Sequence, residues 1–192
     1  MTSYRISRKQ DRSGQALIEF TFVALILLVM LFGMIDFCRS ISTRQVLINL
    51  SREGANQAAR GAGDTFDAAI SNAIQAVIMA ANPLNMTNNG QVIVSAVQNN
   101  KGVYKITNQI SSPTLLPQVQ KSKIGILNAT GSGLAGSGVV MPTAATAPGA
   151  LPQPNQTTFV AEVFYAFKPA TPIGQLLNYG MTNAPLYDVA YF

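Results

Sequence analysis

Between Ala16 and Cys38 the chain runs for 23 residues with only two charges, Glu19 and Asp36. As a helix rising 1.5 Å per residue, this stretch is long enough to cross a hydrocarbon core of about 30 Å. Its flanks are asymmetric. Arg5, Arg8, Lys9 and Arg12 precede it, opposed only by Asp11, whereas the chain after Gly14 carries nine basic and seven acidic residues. The net charge of +5 is therefore concentrated in a leader. Lysine and arginine flanking a membrane segment mark its cytoplasmic side, which puts the N-terminus in the cytoplasm and residues beyond about 40 outside. The leader ends in Arg12-Ser13-Gly14, and the apolar run opens Gln15-Ala16-Leu17-Ile18-Glu19-Phe20. A carboxylate just inside a membrane segment is expensive and usually functional.

Three ordinary readings of this segment remain open. A secretory signal peptide has a similar basic start, but it needs small residues at a cleavage site after the apolar block. Here the block ends Gly33-Met34-Ile35-Asp36-Phe37-Cys38-Arg39, without an Ala-x-Ala pattern. A lipoprotein signal would use Cys38, but the preceding Phe37 is large. A plain signal anchor explains the helix and leaves Glu19 without a role.

The stretch from Gly14 to Gly61 resembles the TadE-like family, pseudopilins of tight-adherence (Tad, type IVc) pilus systems in bacteria. Three pieces in order carry the resemblance: Gly14-Gln15-Ala16-Leu17-Ile18-Glu19-Phe20, then Phe32-Gly33-Met34-Ile35-Asp36-Phe37, then Ser51-Arg52-Glu53-Gly54-Ala55. The resemblance implies a processing site at Gly14 and Gln15. A prepilin peptidase would cut there on the cytoplasmic side, and a glycine suits the position before the scissile bond because it has no side chain. It also implies an assembly signal at Glu19 and Phe20, the fifth and sixth residues after the cut. Glu19 would lie in the first turns of the mature helix, where the dipole favours negative charge. The new α-amine of a neighbouring subunit would be its partner and would offset the burial of both charges. Tyr165-Ala166-Phe167-Lys168-Pro169-Ala170-Thr171-Pro172 resembles an aromatic-x-P-x-T-P element found near the end of such chains. The implied partners are the peptidase, other pilin or pseudopilin subunits, the inner-membrane assembly platform and the bilayer.

Beyond the membrane, residues 39–62 continue the helix, with Leu47, Leu50, Gly54, Ala58 and Gly61 at three- and four-residue steps. This face of small residues is read as packing on the protein's own sheet in preference to a seam between subunits. Asp36 and Arg39 lie three apart and form a candidate membrane-edge pair; a solvated boundary charge is the other reading of Asp36. Gly61-Ala62-Gly63 should break the helix, Asp64 is the expected N-cap of the next, and residues 65–81 carry an amphipathic pattern that ends at Asn82-Pro83.

The period then changes. Gln91 to Gln98 and Val103 to Thr107 read as a hairpin around Asn99-Asn100-Lys101-Gly102. Residues 111–156 are rich in Gly, Ala, Pro, Ser and Thr and read as a flexible surface loop. Thr158 to Phe167 is apolar on both alternations, the mark of a strand covered on both faces or facing a partner. Ile173 to Leu177 reads as a short turn or helix, and Leu186 to Phe192 as a last strand. The aromatics of 159–192 are expected in a sheet core rather than a ligand cage.

The expected architecture is α+β: a long N-terminal helix packed on a small antiparallel sheet of three or four strands, pilin-like. The domain plan is a cleaved leader 1–14, a transmembrane helix 15–38 and an external domain 39–192, at the bacterial inner membrane or in a surface pilus. The chain has no histidine and one cysteine, so the commonest general base and the usual zinc ligand sets are missing. No catalytic, cofactor or metal site is assigned. Lys121 and Lys123 are too few for a nucleic-acid surface. Two further classes stand beside the pseudopilin reading: an unprocessed single-pass adhesin or accessory protein, and an enzyme built on Glu162 and Asp188 meeting in the sheet.

Overall fold

The structure is a computed structural model describing residues 13–61, 63, 65–100, 103–116, 119–127, 154–172, 174–175 and 185–192. The basic leader, Asp64, the tip of the first hairpin at 101–102 and the Gly- and Pro-rich tract 128–153 lie outside the described residues, as do 173, 176 and 177 of the expected late turn.

Helix α1 spans Ser13–Arg60, 48 residues without a break. Gly33 is accommodated inside it, and the helix stops at the expected glycine, Gly61. Helix α2 spans Phe66–Ala80. Its N-cap is Thr65, one residue after the expected cap. Thr65 has extended backbone, and its hydroxyl accepts from the Ala68 amide at 3.4 Å. Asp67 supplies the acid favoured in a first turn. The Asn82–Pro83 peptide that follows is cis. A short helix α3, Met86–Asn89, leads into the sheet.

Four strands form the sheet: β1 Gly90–Asn100, β2 Val103–Ser111, β3 Thr157–Tyr165 and β4 Leu186–Tyr191. All neighbours are antiparallel and the order is β2-β1-β3-β4. Strand β2 runs four residues beyond its expected end, because a bulge resets its pairing. Ala96 faces Asn108, whereas Val97 faces Ile106. The extra residue, Thr107, gives its hydroxyl to the Ala96 carbonyl at 3.2 Å. The shift turns Ile106 to the face of the sheet that also holds Val97 and Val160, where it is fully buried.

The chain divides into two compact units, residues 1–39 with 169–181 and residues 40–168 with 182–192. In the second unit one sheet face packs on helices. Leu47, Leu50, Ala55 and Ala58 of α1 join Ile70, Ala73 and Val77 of α2 against Val92, Val94, Ala161 and Val163. Gly54 marks the closest approach: a Cβ there would lie 2.8 Å from Val77 Cγ2 and 3.2 Å from Ala161 Cβ. The small-residue face of 47–61 therefore packs on its own domain, as expected. Phe66 meets Phe159 edge to face at 5.9 Å, and Ser51 Oγ donates to Asp188 Oδ2 at 2.5 Å.

The opposite face is covered by the described parts of the expected loop, residues 112–116 and 119–127. Ile124 is buried against Val97, Ile106 and Val160. The cover is tied down by side chains of the sheet. Gln91 accepts from the Gln120 amide at 2.7 Å and donates to the Gln120 carbonyl at 3.2 Å. Gln109 likewise accepts from the Leu127 amide at 3.1 Å and donates to the Gly125 carbonyl at 3.0 Å. Strand β3, buried from Thr158 to Phe164, is thus covered on both faces.

Candidate functional site

The amino-terminal end of α1 is bare. Leu17, Ile18, Phe20, Phe22 and the apolar residues from Leu25 to Leu31 are all exposed, Phe20 at 70%. This helix is long and apolar enough to cross a membrane, and its most apolar window has no buried share. A surface of this size is far larger than the patches that soluble monomers leave in water.

The expected processing and assembly residues lie together in its first two turns. Gly14 is exposed, and no described atom lies within 4 Å of where its Cβ would be. The Gly14–Gln15 bond is within the first turn of α1. Helix ends fray, so exposing this bond costs little. Gln15 Nε2 donates to Glu19 Oε1 at 3.1 Å, one turn along an exposed face. Nothing in the described chain buries the Glu19 carboxylate or the Phe20 ring.

Asp36 has a different environment. It is 8% exposed, in contrast to the bare helix before it, so it is not a solvated boundary charge. The Ala170 amide donates to Oδ1 at 2.9 Å and the Thr171 amide to the same oxygen at 3.3 Å. The Thr171 hydroxyl donates to Oδ2. Thr171 Oγ1 also accepts from the Gly174 amide at 3.1 Å, which shapes the turn around the carboxylate. Arg39 stands exposed one turn on and adds a nearby positive charge. Spacing along the helix suggested Arg39 as the partner. The Ala170, Thr171 and Gly174 turn is not foreseeable from spacing, because it lies 134 residues away.

A second buried carboxylate lies in the sheet. Glu162 is fully buried and accepts from Tyr187 Oη at 2.9 Å, from the Lys123 amide at 2.8 Å and from the Ser122 hydroxyl. Lys123 Nζ sits 3.8 Å over the Tyr187 ring. Burial first, then the charge of Glu162, push the Tyr187 phenol above its ordinary range. The arrangement is fully hydrogen-bonded and holds the cover on the sheet. It also removes the basis of the enzyme reading. Glu162 faces Val189 across the ladder, whereas Asp188 faces Val163, so the two acids point to opposite sides of the sheet. Asp188 turns to Ser51 on the helix side. Of the late aromatics, Phe159 and Phe164 are sheet core, with Phe164 5.0 Å from the Tyr187 ring, whereas Tyr165, Phe167, Tyr187 and Tyr191 are half-buried and Phe192 is exposed.

The Arg52-Glu53-Gly54-Ala55 piece divides by face. Gly54 and Ala55 are buried, while Arg52 and Glu53 are exposed and line an open cleft with Asn49, Asn56 and the end of β4.

A long helix with a bare apolar end and a four-stranded antiparallel sheet are consistent with an α+β, pilin-like fold, and the apolar end suggests a membrane anchor. Residues 14–56 match the family model described as TadE-like protein. The matched stretch holds the three pieces that carry the resemblance in the sequence, Gly14–Phe20, Phe32–Phe37 and Ser51–Ala55. The match covers less than a quarter of the chain and suggests association with the membrane and with pilus components. No curated protein and no solved structure matches the chain.

Proposed function

We propose that this chain is a pseudopilin, a structural or assembly subunit of a bacterial Tad pilus. A prepilin peptidase removes residues 1–14 on the cytoplasmic side, Gln15 becomes the N-terminus, and the helix holds the subunit in the inner membrane with its domain outside. From there the helix moves among similar helices on the assembly platform. The driving force is burial of apolar helix surface, first in lipid and then in a helical core.

One observation carries this reading. The segment that matches the TadE-like family begins where the bare apolar helix begins, with an exposed carboxylate five residues past Gly14. An exposed acid at that depth needs a partner once the helix is surrounded, and an adjacent subunit's α-amine supplies one. The unprocessed adhesin or accessory protein is not favoured, because it leaves Glu19 without a role. Asp36 and Arg39 remain as charges at the membrane edge.

The test is the N-terminal residue, read by mass spectrometry from membranes and from sheared filaments. Gln15 in both fractions is the expected result for a subunit that leaves with the filament, and Gln15 in membranes alone defines an assembly factor. Met1 throughout refutes the processing step.

A further inference from the structure

Asp36 is the second acid of the apolar helix, and it is treated in the opposite way to the first. Glu19 is exposed and bonded only to its helical neighbour Gln15 among the described residues. Asp36 is withdrawn from solvent by a turn from the far end of the chain that brings two backbone amides and one hydroxyl to its two oxygens. The turn fits the carboxylate closely. A Cβ at position 174 would overlap the Asp36 carboxylate and lie 2.7 Å from Pro169 Cβ. Around this site the helix stays apolar and exposed: Met34 at 65%, Ile35 at 42% and Phe37 at 66%. A bare carboxylate among such residues would draw the helix toward water, whereas one satisfied by three donors can rest beside hydrocarbon.

We propose that Pro169, Ala170, Thr171 and Gly174 form a carboxylate clasp that lets Asp36 sit at the boundary of the bilayer, and that the clasp sets how deeply the helix is seated. The inference rests on the membrane reading given above. It assigns Asp36 an intramolecular partner, so Glu19 is the helix acid left for a neighbouring subunit. Thr171 and Gly174 are positioning residues: one supplies the hydroxyl and orients the turn, the other leaves room for the carboxylate.

The sole cysteine provides the readout. Cys38 is exposed two residues beyond Asp36. The full chain is reconstituted in vesicles of phosphatidylethanolamine and phosphatidylglycerol, and a membrane-impermeant maleimide is added from the side of the sheet domain. Gly174→Ala opens the clasp and leaves the charge in place, so the helix is drawn outward and Cys38 labels several-fold faster. Asp36→Ala removes the charge, so the helix sinks and labelling slows several-fold. Thr171→Val, which keeps the backbone donors, moves labelling in the same direction as Gly174→Ala by less. Hydrogen exchange on the same samples should show the Ala170 and Thr171 amides opening about tenfold faster in Asp36→Ala, with the β3–β4 amides unchanged. Retention in the vesicles through alkaline carbonate is scored first. Loss there overturns the membrane reading and the clasp with it. Retention with unchanged labelling, or with the two variants moving labelling the same way, overturns the clasp alone.

Discussion

Glu19 and Glu162 show how the same side chain is used in two ways. Glu19 stands in the open, and in the proposed function its contribution lies in contacts to a neighbouring subunit. Glu19→Ala should leave insertion and N-terminal processing nearly intact while sharply lowering recovery of the protein in sheared filaments; undiminished recovery refutes its role. Glu162 is spent inside the domain on Tyr187, Ser122 and Lys123. Glu162→Ala strands these donors and should destabilise the domain by about 3 kcal/mol, seen in a thermal melt of the full chain in detergent. Glu162→Gln keeps an acceptor and should cost less. Tyr187 and Tyr191 are both raised by burial and then by Glu162. A raised phenol stays neutral in the fold while the unfolded chain's tyrosines ionise near pH 10. Stability from this source is therefore complete below about pH 10 and declines as the pH rises above it. Tyr187→Phe should flatten that alkaline decline, and an unchanged decline would contradict the assigned environment.

At the scale of elements, the sequence was informative wherever a pattern was local. The break at Gly61, the amphipathic run of α2 and the double-sided apolarity of β3 follow from neighbours three or four residues apart, or from simple alternation. Thr65 displaced the expected cap by one position because an extended residue directly before the helix brings its hydroxyl to the Ala68 amide. Thr65→Ala should cost about 1 kcal/mol in the same melt. The length of β2 was not readable, since a bulge at Thr107 changes the alternation partway along the strand. The spacing that includes Gly54 predicts a face packed on the protein's own sheet, and Gly54 is where that packing is tightest. Gly54→Leu should cost about 2–3 kcal/mol, because Ala161 on the sheet cannot give way as a flexible side chain would.

For the whole molecule, the segment that matches the TadE-like model is legible in the sequence and the carboxylate partners are not. Gly14, Glu19 and Phe20 announce themselves by their order along one helix. The partners of Asp36, Asp188 and Glu162 come from 134, 137 and 40 residues away, a separation no periodicity encodes. The cover over the sheet has the composition of a loop, so its sequence predicts no packing role. It is held by glutamines of β1 and β2, whose polar character gave no sign of a buried grip. The bare helix also governs the behaviour of the intact protein. Without detergent the full chain should scatter light as large assemblies at neutral pH, and detergent should return it to single particles; monodisperse protein in plain buffer would contradict the exposed apolar surface.

The two glutamine grips have a further consequence. Gln91 and Gln109 hold main-chain atoms of Gln120, Gly125 and Leu127, and Val119 and Lys121 beside the first grip face outward. What the sheet recognises there is the path of the chain and not its lettering. Val119 and Lys121 can thus be exchanged, or made to carry an epitope or dye, without disturbing the grip beneath them.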